Sequence, residues 1–265
     1  MDRNLQEPIM KSNTKISGLV ITYNEEDNIK ELLQNIDFVD EIIIIDSFSK
    51  DKTKEIALQN KKVTFIEHPF KNFTSQRNFA LEQANFNWIL FIDGDERIPE
   101  KLKLEILETV SKEQTFDAYY LYRKYMYQGK PIHFSGTQTD KNFRLFKKDK
   151  AKYSQERLVH ETLKVDGTIG ILKNKLLHFS FSDYQDYKKK MENYGKLKAL
   201  ELFSKNKKAT FFHRYIKPLY KLLYSYIIRL GIFDGWRGFN ICYLHSYSVF
   251  VTYKNLSEIG FKKNE

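Results

Sequence analysis

Cysteine is almost absent: Cys242 is the only one in 265 residues. No intramolecular disulfide framework and no cysteine-based zinc cage can form, and a reducing compartment fits best. Proline and glycine are sparse, at 5 and 11, and no internal repeat or low-complexity linker appears. No run of roughly 18 apolar residues is available to span a bilayer as a helix. Met1 to Lys15 is polar and lacks the apolar core of a secretory signal, so the expected location is cytoplasmic. What is present is 42% hydrophobic residues, enough for a sizeable core in one large domain or a domain with an appendage, and a disordered or fibrous chain is disfavoured.

Acidic residues run short at one end only. Lys and Arg outnumber Asp and Glu by 44 to 34, and residues 186–265 alone hold 16 cations against 6 acids, which leaves the first 185 residues balanced at 28 and 28. A neutral body with a basic tail suggests two jobs. The anionic partner of the tail is a membrane, a phosphorylated substrate or a nucleic acid, unless the lysines form only a solvated surface.

Four short apolar runs punctuate the first hundred residues: Ile16 to Tyr23, Glu41 to Asp46, Val63 to Glu67 and Trp88 to Asp93. Each is short and rich in Ile, Val or aromatics, as buried strands are. Between them Glu25 to Ile36, Lys50 to Gln59 and Ser75 to Gln83 carry apolar residues at helical spacing, and the alternation predicts a mostly parallel α/β sheet flanked by helices. Pro99 to Glu113 reads as a further helix with proline in its first turn. Asp117 to Tyr127, Lys141 to Lys147 and Ile169 to Phe181 read as strands, and helix resumes from Ser182. The expected division is a catalytic domain over 1–182 and a helical, basic region over 183–265.

The ends of three strands are polar: Thr22-Tyr23-Asn24-Glu25, Asp46-Ser47 and Asp93-Gly94-Asp95-Glu96. In an open α/β sheet the carboxyl ends of the strands line the ligand crevice, so acids and amides there point to a site. Helix capping is the plain alternative, most of all for Asp46. A hard divalent cation, Mg²⁺ or Mn²⁺, takes a few carboxylate oxygens and completes its shell with diphosphate oxygens, which suits the Asp93/Asp95 pair, with Gly94 allowing a sharp turn between them. No Gly-x-Gly-x-x-Gly follows the first strand, which speaks against a dinucleotide oxidoreductase.

The ordered set Val20-Ile21-Thr22-Tyr23-Asn24-Glu25, Ile43 to Ser47 followed by Ser49 to Thr53, Gln76-Arg77-Asn78 and Phe91 to Glu96 resembles family 2 glycosyltransferases of the GT-A fold. Within that group it is most similar to small lipopolysaccharide-core β-glucosyltransferases. The resemblance continues more weakly through Arg144-Leu145-Phe146, Val159-His160-Glu161 and the aromatic, basic C-terminal portion. It implies a Rossmann-like mixed sheet and an inverting, metal-dependent transfer of a sugar, glucose by resemblance, from a UDP-sugar to a lipopolysaccharide-core or other lipid-linked acceptor, with a polyprenyl phosphate or a polypeptide as the alternative acceptor. It further implies that Thr22, Asn24 and Glu25 flank the nucleotide, Asp46 contacts the uridine, Asp93 lies near the ribose, Asp95 ligates the metal and Arg77 sits by the base or phosphates. An attacking hydroxyl must lose its proton, and by its position in the resemblance Glu161 is the candidate catalytic base, against the plainer reading of a surface acid; His160 either orients it or is simply packed. His178 is a candidate further metal ligand, against the plainer reading of a structural histidine. Cys242 reads as a buried, inert thiol.

Phe211 to Leu230 is the most unusual stretch. Phe212, Ile216, Leu219, Leu223, Ile227 and Leu230 form one stripe at helical spacing, with Arg214, Lys217, Lys221 and Arg229 on the other side and Pro218 at a kink or near a helix start. The stripe either lies in a membrane interface, making the protein peripheral on the inner face of the cytoplasmic membrane, or packs onto the body of the protein. A nucleic-acid partner would explain the charge but leave Asp46, Asp93 and Asp95 without a role, and none is expected.

Overall fold

The computed structural model describes residues 14–154, 162–181 and 183–262. The first half alternates strand and helix: β1 (Ile16–Thr22), α1 (Ile29–Asn35), β2 (Glu41–Asp46), α2 (Thr53–Ala57), β3 (Val63–Glu67), α3 (Phe73–Gln83), β4 (Trp88–Phe91), the two-residue β5 (Glu96–Arg97) and α4 (Glu100–Ser111). Strands then dominate: β6 (Ala118–Tyr127), β7 (Lys130–Pro131), β8 (Lys141–Lys147), β9 (Ala151–Ser154), β10 (Thr162–Val165), β11 (Ile169–Ile171) and β12 (Leu176–Phe181). Three helices close the chain: α5 (Tyr184–Ser204), α6 (Lys217–Leu223) and α7 (Gly235–Lys262).

The main sheet runs β3-β2-β1-β4-β8-β6-β12-β5, with β7 and β11 also paired to β6, and β9 and β10 form a separate antiparallel pair. β3, β2, β1 and β4 are parallel neighbours, whereas β8 lies antiparallel to both β4 and β6. The chain lays β2 and β3 on one side of β1 and then crosses to lay β4 on the other. The connections leaving β1 and β4 therefore diverge, and a crevice opens between their carboxyl ends. The inner strands are apolar on both faces because helices cover both: one buried cluster joins Val20, Ile44 and Leu90 to Leu32 and Leu102, and the other joins Leu19, Ile43 and Phe91 to Ala80 and Leu81.

Expected and observed elements agree most closely where apolar runs are continuous, as at β2, β3 and β8. The strand-rich run expected over Ile169 to Phe181 holds two strands, β11 and β12, because β11 pairs with the start of β6 and β12 with its later part. The first helix begins at Ile29 rather than Glu25, since the backbone of residues 24–26 is committed to side chains of the loop after β2.

α5 starts at Asp183, whose carboxylate accepts from the amides of Gln185 and Asp186. It packs along α7, and Tyr187 and Met191 of α5 join Ile241 and Leu244 of α7 in a cluster with Tyr127 and Ile132 that fixes the helical layer to the sheet. Cys242 is buried and unpaired, and burial pushes its thiol up. Pro218 stands at the start of α6, just after the wide π-helical turn Phe212–Ile216, where its missing N–H breaks no regular bond. A second wide turn, Tyr224–Ile228, follows α6, so the helical stretch ends before Leu230.

Two outcomes follow from the α5–α7 seam. A methyl on Gly195 would stand 2.8 Å from Val251 Cγ1 and 2.9 Å from the Ser248 carbonyl oxygen. Gly195→Ala gains about 1 kcal/mol of helix propensity but incurs overpacking of about 1–3 kcal/mol against backbone, so urea unfolding is expected to show net destabilisation. His245 shares a 2.6 Å hydrogen bond with the Tyr187 hydroxyl, and burial, helped by Lys221, lowers its pKa to about 4 from the ordinary 6.5. Between those values the unfolded chain binds the proton and the folded chain does not, so stability falls as pH drops through that window. His245→Gln should flatten this part of the profile in melts between pH 7 and 4.

Candidate active site

At the carboxyl end of β1 the chain enters a loop that supplies few of its own hydrogen bonds. Asn24 takes a left-handed conformation, φ 54°, and its amide donates to Ser49 Oγ at 2.8 Å while its side-chain oxygen accepts from the Lys50 amide at 2.9 Å. The Glu25 amide donates to Thr53 Oγ1 at 2.8 Å and the Glu26 amide to Asp51 at 3.0 Å. Ser49, Asp51 and Thr53 thus serve as backbone partners for the neighbouring loop. Asp46 anchors both loops: it is buried, and its carboxylate accepts from Thr22 Oγ1 at 2.7 Å and from the Ser49 amide at 2.6 Å.

Beyond β4 lies a chain of alternating charges. Arg77 donates to Asp93 Oδ1 at 2.7 Å, with its guanidinium 4.6 Å from the Phe91 ring centre. Arg144 donates to the other Asp93 oxygen and, at 2.7 Å, to Glu96 Oε1. Arg123 stands 3.7 Å from Glu96 and donates to Asp140 at 2.6 Å. Burial works against ionisation of Asp93, but Arg144 and Arg77 outweigh it and hold its carboxyl well below the usual range. Glu96 is buried more completely, and burial pushes its pKa up despite Arg144.

Asp95 faces the other way. Its Oδ2 lies 3.2 Å from His178 Nε2 on β12, and although burial disfavours its charge, that hydrogen bond and the imidazole's charge hold its carboxyl below the ordinary value. Glu25 leans over Gly94: a Cβ there would sit 2.9 Å from the Glu25 carboxyl carbon, so only glycine permits the approach. Burial raises the Glu25 pKa, and Asn28 Nδ2 donates to it at 2.8 Å.

A cavity of about 1800 Å³ joins these groups. Its lining includes Glu25, Arg77, Asp93, Asp95 and His178, the β6 and β8 side residues Arg123, Tyr125 and Asp140, and the α5 residues Lys190, Tyr194 and Leu197. Among the described residues no three His, Cys, Asp or Glu side chains converge as a metal site. Asp95 and His178 nevertheless offer a carboxylate oxygen and an imidazole nitrogen side by side, and such a pair fits a divalent ion that takes its remaining ligands from a diphosphate and water.

The structure brings Glu25, Arg77, Asp93 and Asp95 together in one cavity and adds His178. Thr22 and Asp46 lie beneath it, neither lining the cavity, with their side chains bonded to each other and to Ser49. Asn24 shapes the loop above. Val159, His160 and Glu161 lie outside the described residues; Thr162, next in the chain, lines the cavity. Sequence reasoning missed Arg123 and Asp140. Glu96 and Arg144 entered only within motifs, and for Arg144 a cation between Phe143 and Leu145 of β8 was the available signal.

The model of the family described as Glycosyl transferase family 2 matches residues 17–173. The chain is 26% identical over 231 residues to the lipopolysaccharide core biosynthesis glycosyltransferase LpsC of Rhizobium meliloti, covering 84% of this chain and 83% of that protein. It is 26% identical over 260 residues to an uncharacterized glycosyltransferase of Rickettsia typhi, covering 94% and 88%. Among solved structures, S. aureus TarS 1-349 is similar with a TM-score of 0.46 and 18% identity, over 95% of this chain and 92% of that one.

Arg144 is the test of the charge chain. Arg144→Met keeps much of the volume but leaves Asp93 to Arg77 and the fully buried Glu96 carboxylate with Arg123 3.7 Å away, and the expected cost is about 3–5 kcal/mol, read as a lower urea midpoint at unchanged slope. A loss below about 1 kcal/mol would show that the chain behaves as a surface network.

Proposed function

The chain belongs to glycosyl transferase family 2 and is a glycosyltransferase, and from that premise we propose an inverting, metal-assisted transfer of a sugar from a UDP-sugar to a lipopolysaccharide-core or other lipid-linked acceptor. The observation that carries this reading is the Asp95–His178 pair at the crevice between β1 and β4, with the Arg77–Asp93–Arg144 chain behind it. LpsC, similar over most of both chains, bears the name of a lipopolysaccharide core enzyme. Glucose is the sugar the sequence resemblance favours.

In the proposed reaction the acceptor oxygen attacks C1 of the sugar from the face opposite the diphosphate. The new C1–O bond forms as the bond from C1 to the diphosphate oxygen breaks, UDP leaves, and the hydroxyl proton passes to the Glu161 carboxylate. A divalent ion, Mg²⁺ or Mn²⁺, when bound, supplies Lewis-acid neutralisation of the diphosphate's growing charge. Asp95 and His178 would hold it. Arg77 and Arg144 keep the Asp93 carboxylate ionised and fixed near the donor's ribose, so that no reorganisation is required as the bond breaks. Asn24 and Glu25 edge the donor end, and Thr22 and Asp46 act through the loops they tie together. The division of labour is a catalytic unit over 1–182 and an acceptor-side, membrane-facing unit over 183–265.

Attachment to the cytoplasmic face of the membrane is part of the proposal. No helix among the described residues is long and apolar enough to cross a bilayer. All six stripe residues from Phe212 to Leu230 are exposed, which favours the interfacial reading of the stripe over packing on the body.

Titration calorimetry with UDP tests the donor half. Wild-type protein is expected to bind UDP in Mn²⁺ and at least tenfold more weakly in chelator, and Asp95→Asn should lose the metal effect. Glu161→Gln should bind UDP normally while turnover falls by about 10²–10⁴. A folded wild-type protein that binds no UDP with any metal overturns the reading.

A further inference from the structure

The helical stretch from Phe212 to Ile228 is packed the wrong way round for a protein surrounded by water. A surface helix ordinarily turns its apolar stripe to the core and its charges outward. Here the buried positions are Pro218 and Ser225, while Arg214, Lys221 and Arg229 are half-buried and the apolar stripe faces out. The cationic side is bound to the protein: Lys217 Nζ donates to Tyr253 OH at 2.6 Å, and Arg229 donates to Thr139 Oγ1 at 3.1 Å.

The turn that follows extends the same character. Phe233 is 71% exposed, Trp236 54% and Ile232 53%. This turn is not slack. Asp234 accepts from the amides of His133 and Phe134 at 2.9 and 2.8 Å and from Ser135 Oγ at 2.9 Å, which fixes the turn to the segment after β7. Gly231 and Gly238 are in contact, so close that a Cβ on Gly238 would lie 2.0 Å from the Gly231 carbonyl oxygen. Leu230 and Gly235 both hold positive φ, 60° and 61°. Bulky apolar groups are therefore presented outward by a stiff support.

Charge names the partner. Residues 205–257 carry nine Lys or Arg and a single acid, Asp234, and that acid is turned inward onto residues 133–135. Among the cations, Arg237 lies 4.9 Å from the Trp236 ring centre, beside the turn. Exposed Phe, Ile and Trp with Arg237 beside them, and the exposed Lys205, Lys207 and Lys208 just before the stripe in the chain, match the headgroup layer of an anionic bilayer, where rings and aliphatic groups enter the acyl boundary and Lys and Arg reach phosphates.

We propose that the turn Leu230 to Trp236 is a preformed wedge that inserts into the headgroup region of an anionic bilayer, with the Phe212–Ile228 stripe lying beside it. The inference rests on the membrane attachment put forward above and goes past it by naming the inserting element, of which the sequence stripe included only Leu230. It also accounts for the bond from Arg229 to residues 138 and 139, next to Asp140 on the cavity wall: the cavity is held at a fixed height above the lipid surface.

The chain contains its own probe. Its two tryptophans are Trp236 and Trp88, the latter 6% exposed in β4. The full chain is mixed with phosphatidylglycerol-containing vesicles or pure phosphatidylcholine vesicles, and sedimentation is read beside tryptophan emission and quenching by lipids brominated near the headgroup. Expected are sedimentation with the anionic vesicles, a blue shift and quenching, the last two abolished in Trp236→Phe. Phe233→Ser, at an exposed site that should leave UDP binding and the thermal melt unchanged, should weaken vesicle partitioning on the order of tenfold. Sedimentation without quenching of Trp236 overturns the wedge and leaves the attachment standing. No sedimentation with either vesicle overturns both. Self-association that shifts Trp236 emission without lipid also overturns the wedge, assigning the face to a second copy.

Discussion

Arg144 stands between two carboxylates, the half-buried Asp93 and the fully buried Glu96, at the wall of the cavity. An isolated carboxylate there would give up its charge, and two of them would repel. One guanidinium serving both, with Arg77 on the far side of Asp93 and Arg123 beyond Glu96, converts that repulsion into a rigid row. The row has little to add to net stability, because desolvation of so many charges offsets most of the attraction. Its effect is geometric. It holds the turn through Asp93, Gly94 and Asp95 against β8 and β6, so Asp95 projects to the one side where His178 and Glu25 meet it.

That constraint explains what sequence could and could not convey. The acids at the ends of β1, β2 and β4 were legible because each follows a short apolar run, and the strand order makes their loops neighbours. Their partners were not. Asp46 has the sequence context of a ligand-binding acid, yet its oxygens accept from Thr22 and Ser49, a pairing set by the β1–β2 register and invisible to local pattern. Asp140, 17 residues from Arg123, is brought to it by the antiparallel pairing of β6 and β8. His178 was visible only as a lone histidine after an apolar pair, and its meeting with Asp95 depends on β12 pairing with β5.

The C-terminal region shows the same limit in another form. Hydrophobic periodicity correctly marked the stripe from Phe212 to Leu230 but carries no sign: a stripe is equally periodic facing in or out. α7 falls within the region expected to be helical, but its bounds were not legible: its ring-bearing face, Phe239, Tyr243, Tyr247 and Phe250, forms a stacked row, and dense aromatics blur the contrast between faces.

The outward orientation of that stripe is not a choice that stability in water would make. It is held by hydrogen bonds, Ser246 Oγ to the Pro218 carbonyl, Lys217 to Tyr253, and Arg229 with Gln138 and Thr139, and by rings, His213 on Tyr253, Tyr215 beside Phe250 and Tyr226 beside Phe239. Turning the helix over to bury its six exposed apolar side chains would give up all of these. The sequence forecloses that rotation with Pro218 and Ser225 on the packed side, where a larger or more apolar pair would have allowed it, and with Leu230 in a left-handed turn that sets the direction of the chain into α7. The stripe is thus left for a surface other than the protein's own, in keeping with the membrane attachment proposed above, and Arg229 and Asp234 tie its end to residues 133–139.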